Sequence, residues 1–241
     1  MKKNRTNTIL HYFLKGQLDD ILVVILPGLM SNAHRDIVLP LEKSVHKYDI
    51  VTLSLYDGET GLYRDIDKIT SEVNNLLKKY KKYKNIYLIG YSFGSSVLML
   101  SGITSIAKHI FFWSPTPWVP QGISKTLETI TPRLYGVDGC VINKKLAHQL
   151  DTLDIHTLVK SLTNKEVTIF FSIGDDKKIW KDVLTNNSKP KKVHYFSMPY
   201  PHQYTGIQKR RLYSMVEKII NKDISKQNSQ LARGSNKKST K

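Results

Sequence analysis

Ser92 lies in Gly90-Tyr91-Ser92-Phe93-Gly94, between the apolar run 86–89 and the start of a helical pattern. That G-x-S-x-G spacing predicts a sharp strand-to-helix turn that lifts a serine hydroxyl clear of a sheet edge as a nucleophile. At an average glycine usage of about 7%, the pattern arises by chance in roughly one chain in ten of this length, so its context must carry the weight. A serine hydroxyl needs a base to take its proton and a third group to orient that base. On a parallel sheet both partners are expected from later loops at the same edge, the acid first and the histidine second.

The chain supplies both in that order. Gly174-Asp175-Asp176-Lys177 follows the apolar run 167–173, and Pro199-Tyr200-Pro201-His202 follows the run 193–198. Of the eight histidines, His202 falls in the expected loop, whereas His11, His109 and His194 fall in or beside strands and His34, His46, His148 and His156 in helical regions. Asp176 is the expected acid. Asp175 stands as its alternative, because Gly-Asp-Asp-Lys is also a good turn sequence in which either carboxylate can cap the turn. Acyl chemistry further needs two backbone N–H donors for an oxyanion. They are expected at Phe93, just after the nucleophile, and at Leu29 in the Pro27-Gly28-Leu29-Met30 loop.

The elements that must position these groups are seven apolar runs, at 8–14, 21–26, 50–55, 86–89, 110–113, 167–173 and 193–198. Several are continuously apolar, as strands buried on both faces are. Helical patterns alternate with them: Ile66, Ile69, Val73, Leu76, Leu77 and Tyr80 share one face, as do Leu212, Met215, Val216, Ile219 and Ile220. The expected fold class is therefore α/β, a mostly parallel sheet with helices on both faces and a small helical insertion between the fifth and sixth strands. One domain is expected over 1–224. Residues 115–165 are read as a small cap or as an ordinary long crossover, and 225–241 as a disordered basic tail.

These motifs resemble the α/β-hydrolase family: Leu-Pro-Gly-Leu-Met-Ser-Asn after the second strand, Gly-Tyr-Ser-Phe-Gly-Ser-Ser at the turn, then Gly-Asp-Asp and Pro-His. The resemblance covers residues 8–222 and implies a Ser-Asp-His triad on a mostly parallel sheet. Three features depart from the family pattern: Pro27 stands where many members have histidine, the N-terminal region has room for fewer leading strands, and Gly174-Asp175-Asp176 is tighter than the frequent G-x-x-D.

The 241 residues carry 37 Lys and Arg against 20 Asp and Glu, a net charge of +17. Residues 1–7, 225–241 and the lysines 78, 79, 81, 82 and 84 hold 13 of those charges, so the folded remainder is only mildly basic. Five lysines closing a helix favour its C-terminal dipole. No nucleic-acid partner is expected, only weak contact with anionic surfaces through the basic ends. Cys140 is the single cysteine, which excludes an internal disulfide and a cysteine zinc site. The basic start is followed by an apolar stretch that begins at Ile9 and is cut by Lys15, so no signal peptide is read and a cytoplasmic location is expected. No G-x-x-x-x-G-K-[ST], H-E-x-x-H or paired-cysteine motif indicates a nucleotide or metal enzyme.

The expected activity is a serine hydrolase, free of metal and cofactor, cleaving a small-molecule carboxylic ester or thioester through an acyl-enzyme. Met30, Trp113, Trp118 and Met198 are the expected substrate wall, with Leu29 and Phe93 beside them. Acyl transfer or amide cleavage would use the same triad, and a non-catalytic binding module or a basic membrane or polyanion binder are the other classes weighed.

Overall fold

A computed structural model describes residues 11–29, 31, 33–42, 46–56, 65–115 and 144–236. Seven strands form one sheet: β1 (His11–Leu14), β2 (Leu18–Leu26), β3 (Tyr48–Leu53), β4 (Asn85–Tyr91), β5 (His109–Trp113), β6 (Glu166–Phe171) and β7 (Lys192–Ser197). The order across the sheet is β1-β3-β2-β4-β5-β6-β7. β1 runs antiparallel to β3, and every other pairing is parallel. Each expected strand is present within a few residues. The run at 8–14 appears from His11 onward, and residues 8–10 lie outside the described part.

Strand alternation divides the core in two. Leu22, Val24, Leu26, Leu88, Phe112, Ile169 and Phe171 face one side. That side is covered by α2 (Ile66–Lys79), α3 (Phe93–Leu100) and α6 (Lys177–Asn187). Ile21, Val23, Ile25, Tyr87, Phe111, Trp113 and Phe170 face the other side. Cover there comes from a π-helical turn (His34–Val38) leading into α1 (Leu39–Glu42), and from α7 (Gly206–Asn236). Helix α2 forms where the sequence periodicity placed it, with its apolar residues inward, the Asp65 carboxylate accepting from the Lys68 N–H at its start, and Lys78 and Lys79 in its last turn.

The insertion after β5 is described from residue 144. There α4 (Lys144–Asp151) and α5 (Ile155–Leu158) lead into a 3-10 turn (Val159–Leu162). Leu146, Ala147, Leu150, Leu158, Val159 and Leu162 are buried in the core on the α2 side, so this part covers the sheet instead of overhanging it. Residues 116–143, which include Trp118 and most of the expected cap, lie outside the described part.

At the other end the described residues depart from the disorder expected over 225–241, since α7 continues to Asn236. Its residues include the good helix formers Lys226, Gln227, Gln230, Leu231, Ala232 and Arg233 and no proline, and a helix already seeded by packing extends through such a run. Residues 237–241 lie outside the described part. Among the described residues no helix is long and apolar enough to cross a membrane.

Candidate active site

β2 and β4 are adjacent parallel strands that continue to helices on opposite sides, so their following loops open a crevice at the carboxyl edge of the sheet. Ser92 stands on the β4 loop. Its φ of 50° and ψ of −119° lie outside the usual allowed regions, a conformation costing about 1–3 kcal/mol for a non-glycine residue. Two backbone hydrogen bonds hold it: the Ser92 N–H donates to the Trp113 carbonyl at 2.9 Å, and the Ser92 carbonyl accepts from the Ser95 N–H at 2.9 Å. At about 1 kcal/mol each they offset a large part of the strain.

The glycines around the turn are required by contact. A Cβ on Gly94 would lie 2.7 Å from the Pro27 carbonyl oxygen and press still closer on that of Leu26, so α3 could not start this near β2. A Cβ on Gly28 would meet the Ser92 Cβ at 3.2 Å. The Pro-Gly loop therefore passes directly against the serine. Its shape is fixed further on: the Ser31 N–H donates to the Gly28 carbonyl at 3.2 Å, and the Ser31 hydroxyl donates to Asp36 at 2.8 Å. Asp36 also meets Lys209 of α7 at 3.6 Å. Burial lowers the Lys209 pKa while Asp36 raises it, and the ammonium stands 5.7 Å from the centre of the Tyr91 ring.

The imidazole of His202 reaches Ser92 with its Nε2 2.9 Å from the hydroxyl oxygen. On its other side Nδ1 is 3.4 Å from Asp175 Oδ1. Hydrogen bonding to a carboxylate selects the Nδ1–H tautomer, which leaves the Nε2 lone pair facing the serine proton. The His202 side chain is 43% exposed and that of Asp175 only 9% exposed, so the imidazole opens to solvent while its partner is enclosed. The two loops that carry them are tied together, since Met198 N–H donates to Phe171 and Ile173 N–H to Tyr200, both at 2.8 Å.

Asp176, the expected acid, is elsewhere. Its carboxylate caps α6, accepting from the Ile179 N–H at 3.0 Å, and the helix start dictates that orientation. Asp175 takes the place beside His202. The sequence did not reveal what holds Asp175: its Oδ2 accepts from the Ser172 N–H at 2.6 Å and from the Ser114 hydroxyl at 2.8 Å. Ser114 and Ser172 contact each other, and both meet the Tyr204 hydroxyl, at 3.0 and 2.7 Å. Burial raises the Tyr204 pKa, so its phenol stays protonated. Ser114 carries a φ of 43°. A signal for this cluster did exist, in that Ser114 directly follows the apolar run 110–113 and Ser172 interrupts the end of the run 167–173.

Tyr91, just before the serine, donates its hydroxyl to the His202 carbonyl at 2.7 Å and stacks on Tyr204 with ring centres 5.5 Å apart. Of the expected substrate wall, Trp113 is only 1% exposed and fills the core on the α7 side, which removes it from the wall. Its side chain alternates away from the crevice with the strand pleat. Met198 is partly buried against that same core. Phe93, the first residue of α3, is buried, and Leu29 packs half-buried against the same core, so each can offer the site its backbone rather than its side chain. Met30 and Trp118 lie outside the described residues. No group of three His, Cys, Asp or Glu side chains close enough to hold a metal occurs at this edge among the described residues.

No protein-family model matches the sequence, and no curated protein matches it. Solved structures do. The chain is similar to Est1E from Butyrivibrio proteoclasticus with ferulic acid bound, at 17% identity and a TM-score of 0.64 over 90% of this chain and 96% of that one. MenH from S. aureus matches at 17% identity and 0.61, over 88% and 98%. Alpha/beta hydrolase domain-containing protein 10 from mouse matches at 13% identity and 0.61, over 91% and 97%. Identities this low establish architecture alone, and with the strand order, the elbow at Ser92 and the loops that follow β6 and β7, they give this chain the α/β-hydrolase fold.

Proposed function

We propose that this protein is a serine hydrolase that cleaves a carboxylic ester or thioester through an acyl-enzyme. The observation that carries the reading is the contact of 2.9 Å between the Ser92 hydroxyl and His202 Nε2, on a strained strand-to-helix turn, with Asp175 on the other imidazole nitrogen. In this mechanism Ser92 Oγ attacks the acyl carbon as its proton passes to His202 Nε2. The imidazolium is stabilised by Asp175 and then protonates the leaving alkoxide or thiolate. Water, deprotonated by the same nitrogen, releases the acid and restores the serine. Backbone N–H groups of Phe93 and Leu29 are the donors for the oxyanion, a role supported by the approach of the Gly28 loop to Ser92. Est1E with ferulic acid bound makes an aromatic acyl group a reasonable member of the first substrate panel.

The test is labelling by a fluorophosphonate, followed by turnover on aryl and alkyl esters and thioesters of graded length. The wild type should label at Ser92 and turn over at least one ester. Ser92→Ala should lose label and on the order of 10⁴-fold or more in kcat while keeping its melting temperature. A wild type that neither labels nor hydrolyses any member of the panel would remove the reading.

A further inference from the structure

The opposite, amino-terminal edge of the sheet holds a cavity of about 310 Å³ that the serine chemistry does not use. Lys108 before β5, Lys165 before β6, Lys191 before β7 and Lys226 on α7 all line it, with Tyr87 of β4 among them. Its size is at the lower end of small-ligand sites, which hold about 300–1,000 Å³. Tyr87 is fully buried, yet its hydroxyl has no hydrogen-bond partner among the described residues. Buried hydroxyls left in that state cost stability, and one lining a cavity points to a ligand that completes it. Burial, with Asp223 and Glu166 nearby, raises the Tyr87 pKa, so the group is a hydrogen-bond donor.

Two ligand signs compete for this place. His109, Glu166 and Asp223 bring possible metal-binding atoms within 4.8 Å of one another. Each of these is already partnered: His109 Nδ1 is 3.1 Å from Asp223, its Nε2 is 2.8 Å from the Thr168 hydroxyl, and Lys191 is 3.1 Å from Glu166. Four lysines line the cavity against two carboxylates, and although the Lys165 ammonium donates to the Ser105 carbonyl at 2.6 Å and Lys191 meets Glu166, the excess of positive charge makes the cavity favourable to an anion and unfavourable to a cation. A phosphate monoester, with a charge near −2 and three acceptor oxygens, satisfies several lysines at once where a carboxylate cannot.

We propose that this cavity binds a small phosphate ester, with the phosphate among Lys108, Lys165, Lys191 and Lys226 and the esterified group against Tyr87. The site is separate from Ser92 and stands whether or not the hydrolase reading does.

Isothermal titration of the full chain with glycerol 3-phosphate and ribose 5-phosphate, against glycerol and ribose, tests it. One phosphate ester should saturate at one site per chain, weaken severalfold from 50 to 200 mM salt, and bind where its parent polyol does not. Lys108→Ala with Lys226→Ala should weaken binding at least fivefold. Lys178→Ala with Lys181→Ala, on α6, should change it less than twofold. Tyr87→Phe should weaken binding without lowering the melting temperature, since it removes an unpaired hydroxyl. The proposal fails if neither ester saturates, or if both lysine pairs matter equally, which would be diffuse attraction to a basic protein. It fails too if zinc chloride saturates the site in a manner lost in Glu166→Gln. Binding only to phosphatidylcholine vesicles that contain phosphatidic acid, through Lys108 and Lys226, would assign the lysines to a lipid surface and overturn it.

Discussion

At the scale of single residues, two adjacent aspartates divide two tasks. Asp175→Asn should cost roughly 10³- to 10⁴-fold in kcat on whichever ester is turned over, because an amide at that place favours the wrong imidazole tautomer. Asp176→Ala should leave kcat within about threefold and instead lower stability by about 1 kcal/mol, the usual worth of a helix cap, read from denaturant unfolding. Ser114→Ala removes one donor from the Asp175 carboxylate and should reduce kcat by about tenfold with KM little changed, as expected of a group that acts through Asp175. Ser92 and His202, the candidate nucleophile and base, were legible in the sequence because the G-x-S-x-G spacing and the order of loops restrict them to single positions. The acid was not, although its resolution was partly written there: an aspartate directly before Lys177-Lys178-Ile179-Trp180 is a helix N-cap, which leaves its neighbour to turn inward. Ser114, Ser172 and Tyr204 escaped notice because hydroxyl partners have no spacing rule of their own and meet only when three loops fold to one edge.

At the scale of elements, the turn between β4 and α3 is the least tolerant part of the fold. Gly94→Ala should destabilise by about 1–3 kcal/mol and abolish turnover, since relief of the clash with the β2 loop must move either the serine or the Gly28 loop. Circular dichroism melting and ester assays on the same preparation check both effects. The strands were readable because burial on both faces imposes continuous apolar runs, and α2 because one packed face imposes a 3.6-residue period. The far part of α7 has no such constraint. Periodicity shows where a helix is packed, as from Leu212 to Ile220, and is silent where a helix runs on with exposed residues such as Ser225, Lys226 and Ser229. In the same way, the apolar content of Trp113 marked it as large and buried but did not tell core from crevice, a matter settled by the strand pleat.

At the scale of the whole molecule, the charge of +17 is concentrated in residues 1–7, in 225–241 and in the lysines between 78 and 84. A chain ending at Lys226 sheds four basic residues and no described packing contact, so its kcat/KM should match the full chain and its Tm should lie within ~2 °C. Helix α7 has a larger part before that point. Together with the π-helical turn and α1 it closes one face of the sheet, through Leu212, Tyr213, Val216 and Ile220, and its first turn supplies Lys209 to the loop beside Ser92. Both α7 and the His202 loop belong to the last sixth of the chain. During synthesis, then, Phe111, Trp113 and Phe170 lack the α7 part of their cover until that segment emerges, and His202 arrives almost together with it. A nascent or prematurely terminated chain presents an adhesive apolar face and lacks the Ser92–His202 pair, so until the face is shut its fate belongs to chaperones and proteases.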